Sequence, residues 1–166
     1  GGRVHLGRSR NDQVLTALRL YLRDAAAALA SGAGTLIDAL EQVAAEQGAI
    51  ALPGYTHMQP AMPSSVDLWA RGFAAEIAEG RSALLRVSER IELNPLGSAA
   101  GYGVPKLPLD REATREALGF ARVQEPVTAV QLSRGKAETA LVFELALLLG
   151  DVGRIAADLL LFYTRE

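Results

Sequence analysis

The segment Ser133–Arg165, SRGKAETALVFELALLLGDVGRIAADLLLFYTR, carries the clearest structural pattern in the sequence. Large apolar residues recur in it at alternating spacings of four and three, namely Leu141, Leu145, Leu148, Val152, Ile155, Leu159 and Phe162. That spacing is the a/d heptad pattern of helices that pack against one another at shallow angles. The segment is therefore predicted to be one long helix of a helical bundle.

Two further segments, Asn11–Gln47 and Ser64–Ile91, have helical periodicity. The apolar or small face predicted for the first consists of Val14, Leu18, Tyr21, Ala25, Ala28, Gly32, Leu36, Ala39 and Val43. The face predicted for the second consists of Val66, Trp69, Phe73, Ile77, Leu84, Val87 and Ile91. Ser64 or Ser65 is a suitable N-cap for the second helix. Gly32 and Gly34 are interpreted as close-packing sites or a mild bend rather than a break.

The length of these helices predicts how they pack. At 1.5 Å per residue they would be about 40–55 Å long, whereas a compact domain of this size has a radius of gyration of about 15 Å. An elongated all-α bundle is expected, with its remaining apolar faces against partner subunits. The linker Leu93–Leu109 is rich in glycine and proline and is predicted to be a functional loop. A short helix is predicted for Asp110–Leu118, ended by Gly119.

Composition excludes several classes of site. The chain has no cysteine and only two histidines, His5 and His57, so neither a thiolate site nor a histidine cluster for a metal is expected. The net charge is −2, which gives no reason to expect nucleic acid or a membrane surface as a partner. No apolar run is long enough to span a bilayer, and the expected location is the cytoplasm.

The motif Gly7–Asp12, GRSRND, stands directly before the first long helix. Ser9 or Asn11 can cap that helix, and the free amides of its first turn favour an anion. Arg8 and Arg10 add guanidinium groups whose geometry matches a carboxylate. The motif predicts a site for a carboxylate-bearing substrate. The alternative from the residues alone is a capped, solvated helix start.

The motif Gly54–Pro63, GYTHMQPAMP, lies between the first and second long helices. Its prolines disfavour a helix, so His57 is predicted to lie in a loop, flanked by the hydrogen-bonding residues Thr56 and Gln59. A histidine with a pKa near 6.5 suits proton transfer at neutral pH. The alternative is a loop histidine that packs on the neighbouring proline rings.

Together these two motifs resemble the argininosuccinate lyase and δ-crystallin branch of the fumarase/aspartase superfamily. Pro95–Ser98 and Asp110–Glu112 are similar to the PLGS and DRE elements of that family, so the resemblance covers nearly the whole chain. It implies an all-α, long-helix bundle that assembles into a tetramer. Each active site of such a homotetramer is shared between subunits.

The resemblance implies a β-elimination that splits argininosuccinate into L-arginine and fumarate, the last step of arginine biosynthesis, without a cofactor or metal. Ser9, Arg10 and Asn11 would bind the substrate carboxylates. His57 would transfer a proton, and Thr56 and Gln59 would hold the substrate through hydrogen bonds. Asp110 and Arg111 are weaker candidates and are expected to be structural.

Compared with that family, residues 1–166 are expected to be a central helical domain, without the N-terminal segment and without the C-terminal domain that carries the SSxMPxKxN loop. The sequence departs from the family at Leu6, Gly101–Pro105 and Gln131–Lys136, where a threonine, a GALAG form and an acidic SDRD-like stretch are usual. Two alternatives stay open. One is a lyase for another succinyl-amine such as adenylosuccinate, and the other is a non-catalytic, crystallin-like bundle protein.

Overall fold

The computed structural model describes residues 2–164, so the predicted helix end at Arg165 lies outside the described residues. A 3-10 turn at Gly2–His5 is followed by the elements α1 (Arg10–Gln47), β1 (Ala51–Thr56), β2 (Gln59–Ser65), α2 (Val66–Ser88), β3 (Leu93–Asn94), α3 (Arg111–Leu118), β4 (Arg122–Val123), α4 (Ala129–Leu132) and α5 (Lys136–Phe162). The chain divides into unit 1, Gly1–Ala27 with Leu85–Val142, and unit 2, Ala28–Leu84 with Phe143–Glu166. The all-α class predicted from the sequence is confirmed in that the fold is mostly helical, with two short two-stranded sheets in addition.

Helix α1 passes through Gly32 and Gly34 without a break, as predicted. The close-packing interpretation of Gly32 is wrong within this chain, because a β-carbon there would meet no atom within 4 Å. Helix α5 begins at Lys136 instead of Ser133, since Gly135 takes a positive φ of 84° that interrupts helical geometry.

The cap predicted for α2 and the glycine predicted to end α3 are in place, whereas Asp110 caps α3 instead of being its first residue. Ser65 Oγ accepts a hydrogen bond from the backbone N–H of Leu68 at 3.2 Å, so Ser65 is the cap of α2. Asp110 Oδ1 accepts from Ala113 N at 2.8 Å at the start of α3. Gly119 closes α3 in the left-handed conformation, with φ 69°.

The buried face of α1 differs from the face predicted from its spacing. Val14, Leu18, Tyr21 and Val43 of the predicted face are exposed, Tyr21 to 69%. The buried stripe lies on the adjacent face and consists of Asp12, Leu15, Thr16, Arg19, Ala26, Ala30, Ala33, Leu40 and Ala44. The prediction was wrong because the stripe contains two charged residues, which burial normally excludes unless hydrogen bonds satisfy them.

The heptad of α5 is half buried within the chain. Leu141, Leu148 and Ile155 are buried, whereas Val152 and Leu159 are exposed. In unit 2 the core cluster consists of Ala33, Leu40, Ala74, Ile77, Leu148 and Ile155, with Leu36, Ile37, Trp69 and Phe73 packed against it. The face predicted for α2 therefore does turn toward the core. Among the described residues, no helix is both long enough and apolar enough to cross a membrane.

Candidate functional site

The first turn of α1 is organised by a reciprocal cap in unit 1. Ser9 Oγ accepts from Asn11 N at 3.2 Å, and Asp12 Oδ1 accepts from Ser9 N at 2.9 Å. Two of the orphan N–H groups at the start of the helix are thereby satisfied, in the manner of a capping box. The Ser9 hydroxyl hydrogen is not used in these two bonds and can still donate to a ligand.

Asp12 also fixes the loop Leu96–Ala99 to the start of α1. Its second oxygen, Oδ2, accepts from the backbone N–H groups of Gly97 at 3.1 Å and Ala99 at 2.8 Å. Gly97 and Ala99 both have positive φ, 90° and 50°, so the loop curls around the carboxylate. Asp12 is fully buried, and its charge is compensated by three backbone donors. The predicted functional loop is thus anchored directly to the GRSRND motif.

Asn94 and Arg111 also hold the loop Leu96–Ala99 in place through hydrogen bonds to Leu96. Asn94 is fully buried and donates through Nδ2 to Arg111 O at 3.2 Å and to Thr114 Oγ1 at 3.0 Å. Arg111 donates through Nε to Leu96 O at 2.9 Å and through Nη2 to Gln124 O at 3.1 Å. Burial lowers the pKa of Arg111 from its usual value, and the nearby Glu125, Asp12 and Glu112 oppose that shift. These contacts give Arg111 a structural role.

A buried arginine ties α1 to the turn before α5. Arg19 donates through Nη1 to Leu93 O at 2.6 Å and to Gln124 Oε1 at 2.7 Å. Gln124 Nε2 in turn donates to Ser133 Oγ at 2.7 Å. Burial lowers the pKa of Arg19, and the charge of Glu138 opposes that shift. The chain Arg19–Gln124–Ser133 therefore fixes the backbone next to Arg134 with respect to α1.

Of the residues predicted to bind carboxylates, Ser9 is half-buried and the two residues after it are exposed. Arg10 is exposed, and among residues 2–164 no acidic side chain forms an ion pair with it. Asn11 is exposed, and its Oδ1 accepts from Arg134 Nη1 at 3.2 Å. Ser9, Arg10 and Asn11 are consecutive at the start of α1, and each has a group that can donate a hydrogen bond, which is the chemistry that a carboxylate requires.

The second motif forms a β-hairpin in unit 2. As predicted, it is not helical and His57 lies in a loop, the turn between the strands, but the strand pairing itself was not predicted. Strands β1 and β2 pair antiparallel, with Leu52 opposite Ser64 and Thr56 opposite Gln59. A bulge lies between Pro53 and Tyr55, and a β-carbon on the intervening Gly54 would stand 2.6 Å from Met62 O. The hairpin brings Thr56, His57 and Gln59 together at its tip.

His57 and Met58 are the two central residues of the hairpin turn, and both have positive φ, 52° and 60°. Two-residue turns of this kind favour glycine, which lacks the β-carbon that destabilises the left-handed conformation, and asparagine, whose short polar side chain can hydrogen-bond locally there. Each such residue costs on the order of 1–3 kcal/mol, and strained residues of this type concentrate at functional sites. The imidazole of His57 is exposed and makes no hydrogen bond to another described residue.

The predicted site residues therefore fall into two groups. Ser9, Arg10 and Asn11 lie in unit 1, and the hairpin group lies in unit 2. The sequence patterns assigned no role to Arg19, Asp12 or Arg134, which hold or contact the first group. Asp12 had a usable signal, because an acidic residue three positions after a capping serine is the second half of a capping box. The partners of Arg19 and Arg134 are too distant in sequence for any local signal.

Known proteins match this chain along its whole length. A protein family described as "Lyase" matches residues 1–166. The argininosuccinate lyase of Xylella fastidiosa is 46% identical over 167 residues, and that of Stenotrophomonas maltophilia is 44% identical over 167 residues. The alignments cover 100% of this chain but 37% and 38% of those proteins, so the chain spans a little over a third of the length of the curated relatives it matches.

Solved structures match over nearly the whole chain. EDDS lyase in complex with formate gives a TM-score of 0.93 at 26% identity, covering 99% of this chain and 33% of that one. The 3-carboxy-cis,cis-muconate lactonizing enzyme from Pseudomonas putida gives 0.82 at 25% identity, covering 93% of this chain and 35% of that one. The resemblance read from the two motifs is confirmed by the curated relatives. The match over residues 1–166 shows that the chain belongs to the lyase family.

Proposed function

We propose that this chain supplies carboxylate-binding and acid–base residues of an argininosuccinate lyase, which converts argininosuccinate to L-arginine and fumarate. The observation that carries the proposal is the 46% identity, over 100% of this chain, to a curated argininosuccinate lyase. The GRSRND motif at the start of α1 and the hairpin that carries His57 lie within that matched region. The expected cytoplasmic location stays a prediction.

The substrate class follows from the donors at the start of α1. The Ser9 hydroxyl, the Arg10 guanidinium and the Asn11 amide can each donate to a carboxylate oxygen. A structural relative, EDDS lyase, has been crystallised with formate, and a variant of it with fumarate, both of which are carboxylates. We assign these three residues to the carboxylates of a dicarboxylate substrate.

The proposed reaction is a β-elimination. A base removes a proton from the carbon next to a substrate carboxylate, and the electron pair spreads onto that carboxylate. That electron pair then forms the double bond of fumarate as the carbon–nitrogen bond breaks. The electrons of the broken bond leave with the guanidino nitrogen, which takes a proton. Donors placed around the carboxylate stabilise the charge that develops on it, which is often the largest contribution to the rate. His57 transfers a proton, and Thr56 and Gln59 hold the substrate from the hairpin.

The direct test is release of fumarate from argininosuccinate by the full-length gene product, followed by ultraviolet absorbance. Adenylosuccinate serves as the control substrate. Fumarate from argininosuccinate alone would support the proposal, and fumarate from adenylosuccinate alone would favour the other succinyl-amine lyase. If a protein with a helical circular dichroism spectrum released no fumarate from either, the proposal would fail in favour of a non-catalytic bundle.

Replacement of Arg10 by alanine is expected to raise KM by roughly 10- to 100-fold, because a charge-assisted hydrogen bond to a carboxylate contributes about 1.5–3 kcal/mol. Steady-state kinetics of the wild type and Arg10→Ala would measure the change. The control is Arg154→Ala, which removes an exposed arginine whose ion pair with Asp151 lies within α5. Unchanged KM and kcat in Arg10→Ala would remove this residue from the substrate site.

We also propose that the chain assembles as a homotetramer in which active sites are shared between subunits. The exposed apolar residues of α1 and α5 support this, namely Val14, Leu18, Tyr21, Val152, Leu159 and Leu160. Side chains of this size seldom stay in water in such numbers unless a partner covers them. Analytical ultracentrifugation at micromolar concentration is expected to show a tetramer, and a single monomeric species would contradict it.

A further inference from the structure

The side-chain amide of Asn11 has two chemically different ends. Its oxygen can only accept hydrogen bonds, and its NH2 group can only donate them. An unconstrained asparagine can turn either end toward a ligand. A carboxylate only accepts, so it binds the NH2 end and is repelled by the oxygen. Which end faces the substrate therefore decides whether Asn11 helps or hinders the binding of an anion.

Arg134 determines that orientation in this structure. Its Nη1 donates to Asn11 Oδ1 at 3.2 Å, and a guanidinium has no acceptor that could pair with the NH2 end. Asn11 Nδ2 donates to no other described residue, so both of its N–H bonds are available. The positive charge of Arg134 is not neutralised by an ion pair within residues 2–164.

The backbone that carries Arg134 is firmly held. Arg134 N donates to Gln131 O at 3.3 Å, and the preceding Ser133 N donates to Ala129 O at 2.9 Å. The Ser133 hydroxyl is reached by Gln124, which in turn accepts from Arg19 on α1. Arg19 and Gln124 are 2% and 6% exposed. Because this chain of bonds begins on the helix that carries Asn11, it fixes the backbone next to Arg134 relative to α1, and the exposed Arg134 side chain reaches Asn11 from there.

We propose that Arg134 is a positioning and specificity-determining residue, which holds the Asn11 amide with its NH2 end toward the substrate and so selects a carboxylate at that point. This inference rests on the proposed function of Asn11 as a carboxylate-binding residue. Arg134 acts through Asn11 and through its uncompensated charge, and takes no part in proton transfer. It should therefore affect dicarboxylate binding more than the rate of the chemical step.

Three substitutions of Arg134 separate the effect of the Asn11 orientation from the effects of the size and charge of the Arg134 side chain. Arg134→Gln offers both a donor and an acceptor, so the Asn11 amide loses its fixed orientation. Arg134→Glu can only accept, so it attracts the NH2 end and turns the Asn11 oxygen toward the ligand. Arg134→Lys keeps a cationic donor and should preserve the orientation. Arg122→Gln is the matched control, because it removes the same charge from an exposed arginine in unit 1.

The experiment measures fumarate affinity by calorimetry, and KM and kcat for argininosuccinate, in the full-length gene product and its variants. Arg134→Gln is expected to weaken fumarate binding and raise KM by roughly 5- to 10-fold with kcat within about threefold, the effect of one net hydrogen bond. Arg134→Glu should weaken binding by roughly 10- to 100-fold because a like charge then faces the carboxylate. Arg134→Lys should stay within about threefold of the wild type.

The outcomes distinguish this inference from the proposed function. Fumarate binding that depends on Arg134 in a protein without lyase turnover would sustain the inference and overturn the function. Equal fumarate affinity in Arg134→Gln and the wild type would overturn the inference, whatever the turnover. So would an equal loss in Arg122→Gln, which would indicate a general charge effect. Absence of fumarate binding by the wild type at millimolar concentration would also overturn it.

Discussion

Replacement of His57 by asparagine is expected to lower kcat by roughly 10²–10⁴, the range of a residue that transfers a proton. Asparagine suits this test because it tolerates positive φ, and His57 has φ 52° in the hairpin turn. The variant should therefore keep the hairpin and lose only the imidazole. Steady-state turnover of argininosuccinate by the full-length gene product, with circular dichroism to verify folding, would measure the effect.

The control for this prediction is Met58→Gly, at the other central position of the turn. Glycine adopts positive φ without strain, so this variant keeps the turn and the imidazole and removes only the Met58 side chain. Its kcat is expected to stay within about threefold of the wild type, since a surface turn residue without a catalytic group contributes little. Turnover near the wild-type value in His57→Asn would exclude His57 from proton transfer.

Replacement of Asp12 by alanine is expected to lower the free energy of unfolding by about 3–5 kcal/mol, because a buried hydrogen-bonded carboxylate is lost. The N–H groups of Ser9, Gly97 and Ala99 would all lose their acceptor. The loop Leu96–Ala99 would then no longer be held to α1. Urea denaturation followed by circular dichroism would measure the change in midpoint.

Asp24→Ala is the matched control for Asp12, because it removes an aspartate from the same helix whose side chain is 80% exposed. Its effect is expected to stay within about 0.5 kcal/mol, as for most surface substitutions. A denaturation midpoint for Asp12→Ala equal to that of Asp24→Ala would show that the buried carboxylate does not stabilise the fold.

The loop position of His57 was predicted, but the strand pairing around it was not. Pro53, Pro60 and Pro63 argue against strands, since proline cannot donate to a ladder. His57 and Met58 lack the asparagine–glycine signal of a two-residue turn. The paired segment nevertheless forms, because two-stranded pairing leaves both outer edges free and a bulge opposite Gly54, where β2 has one extra residue, absorbs the irregularity. The motif was recognisable from its residues, but its conformation was not.

Periodicity also did not predict which face of α1 is buried. Spacing alone selected the face with Val14, Leu18 and Tyr21, which are large and apolar. The structure instead buries the face with Asp12 and Arg19, whose partners lie in the loop after β3 and at Gln124. The exposed apolar face is left for the subunit contacts proposed above.

The sequence by itself determined the three long helices, the capped short helix α3, and the two motifs from which the family resemblance was recognised. Those features depend on residues close together along the chain, through backbone periodicity, capping and local turn chemistry. Only the tertiary structure decided which helix faces are buried, that Asp12 anchors the loop Leu96–Ala99, and that Arg134 meets Asn11. Each of these depends on a contact between segments far apart in sequence, where packing and desolvation, not local propensity, decide the free energy.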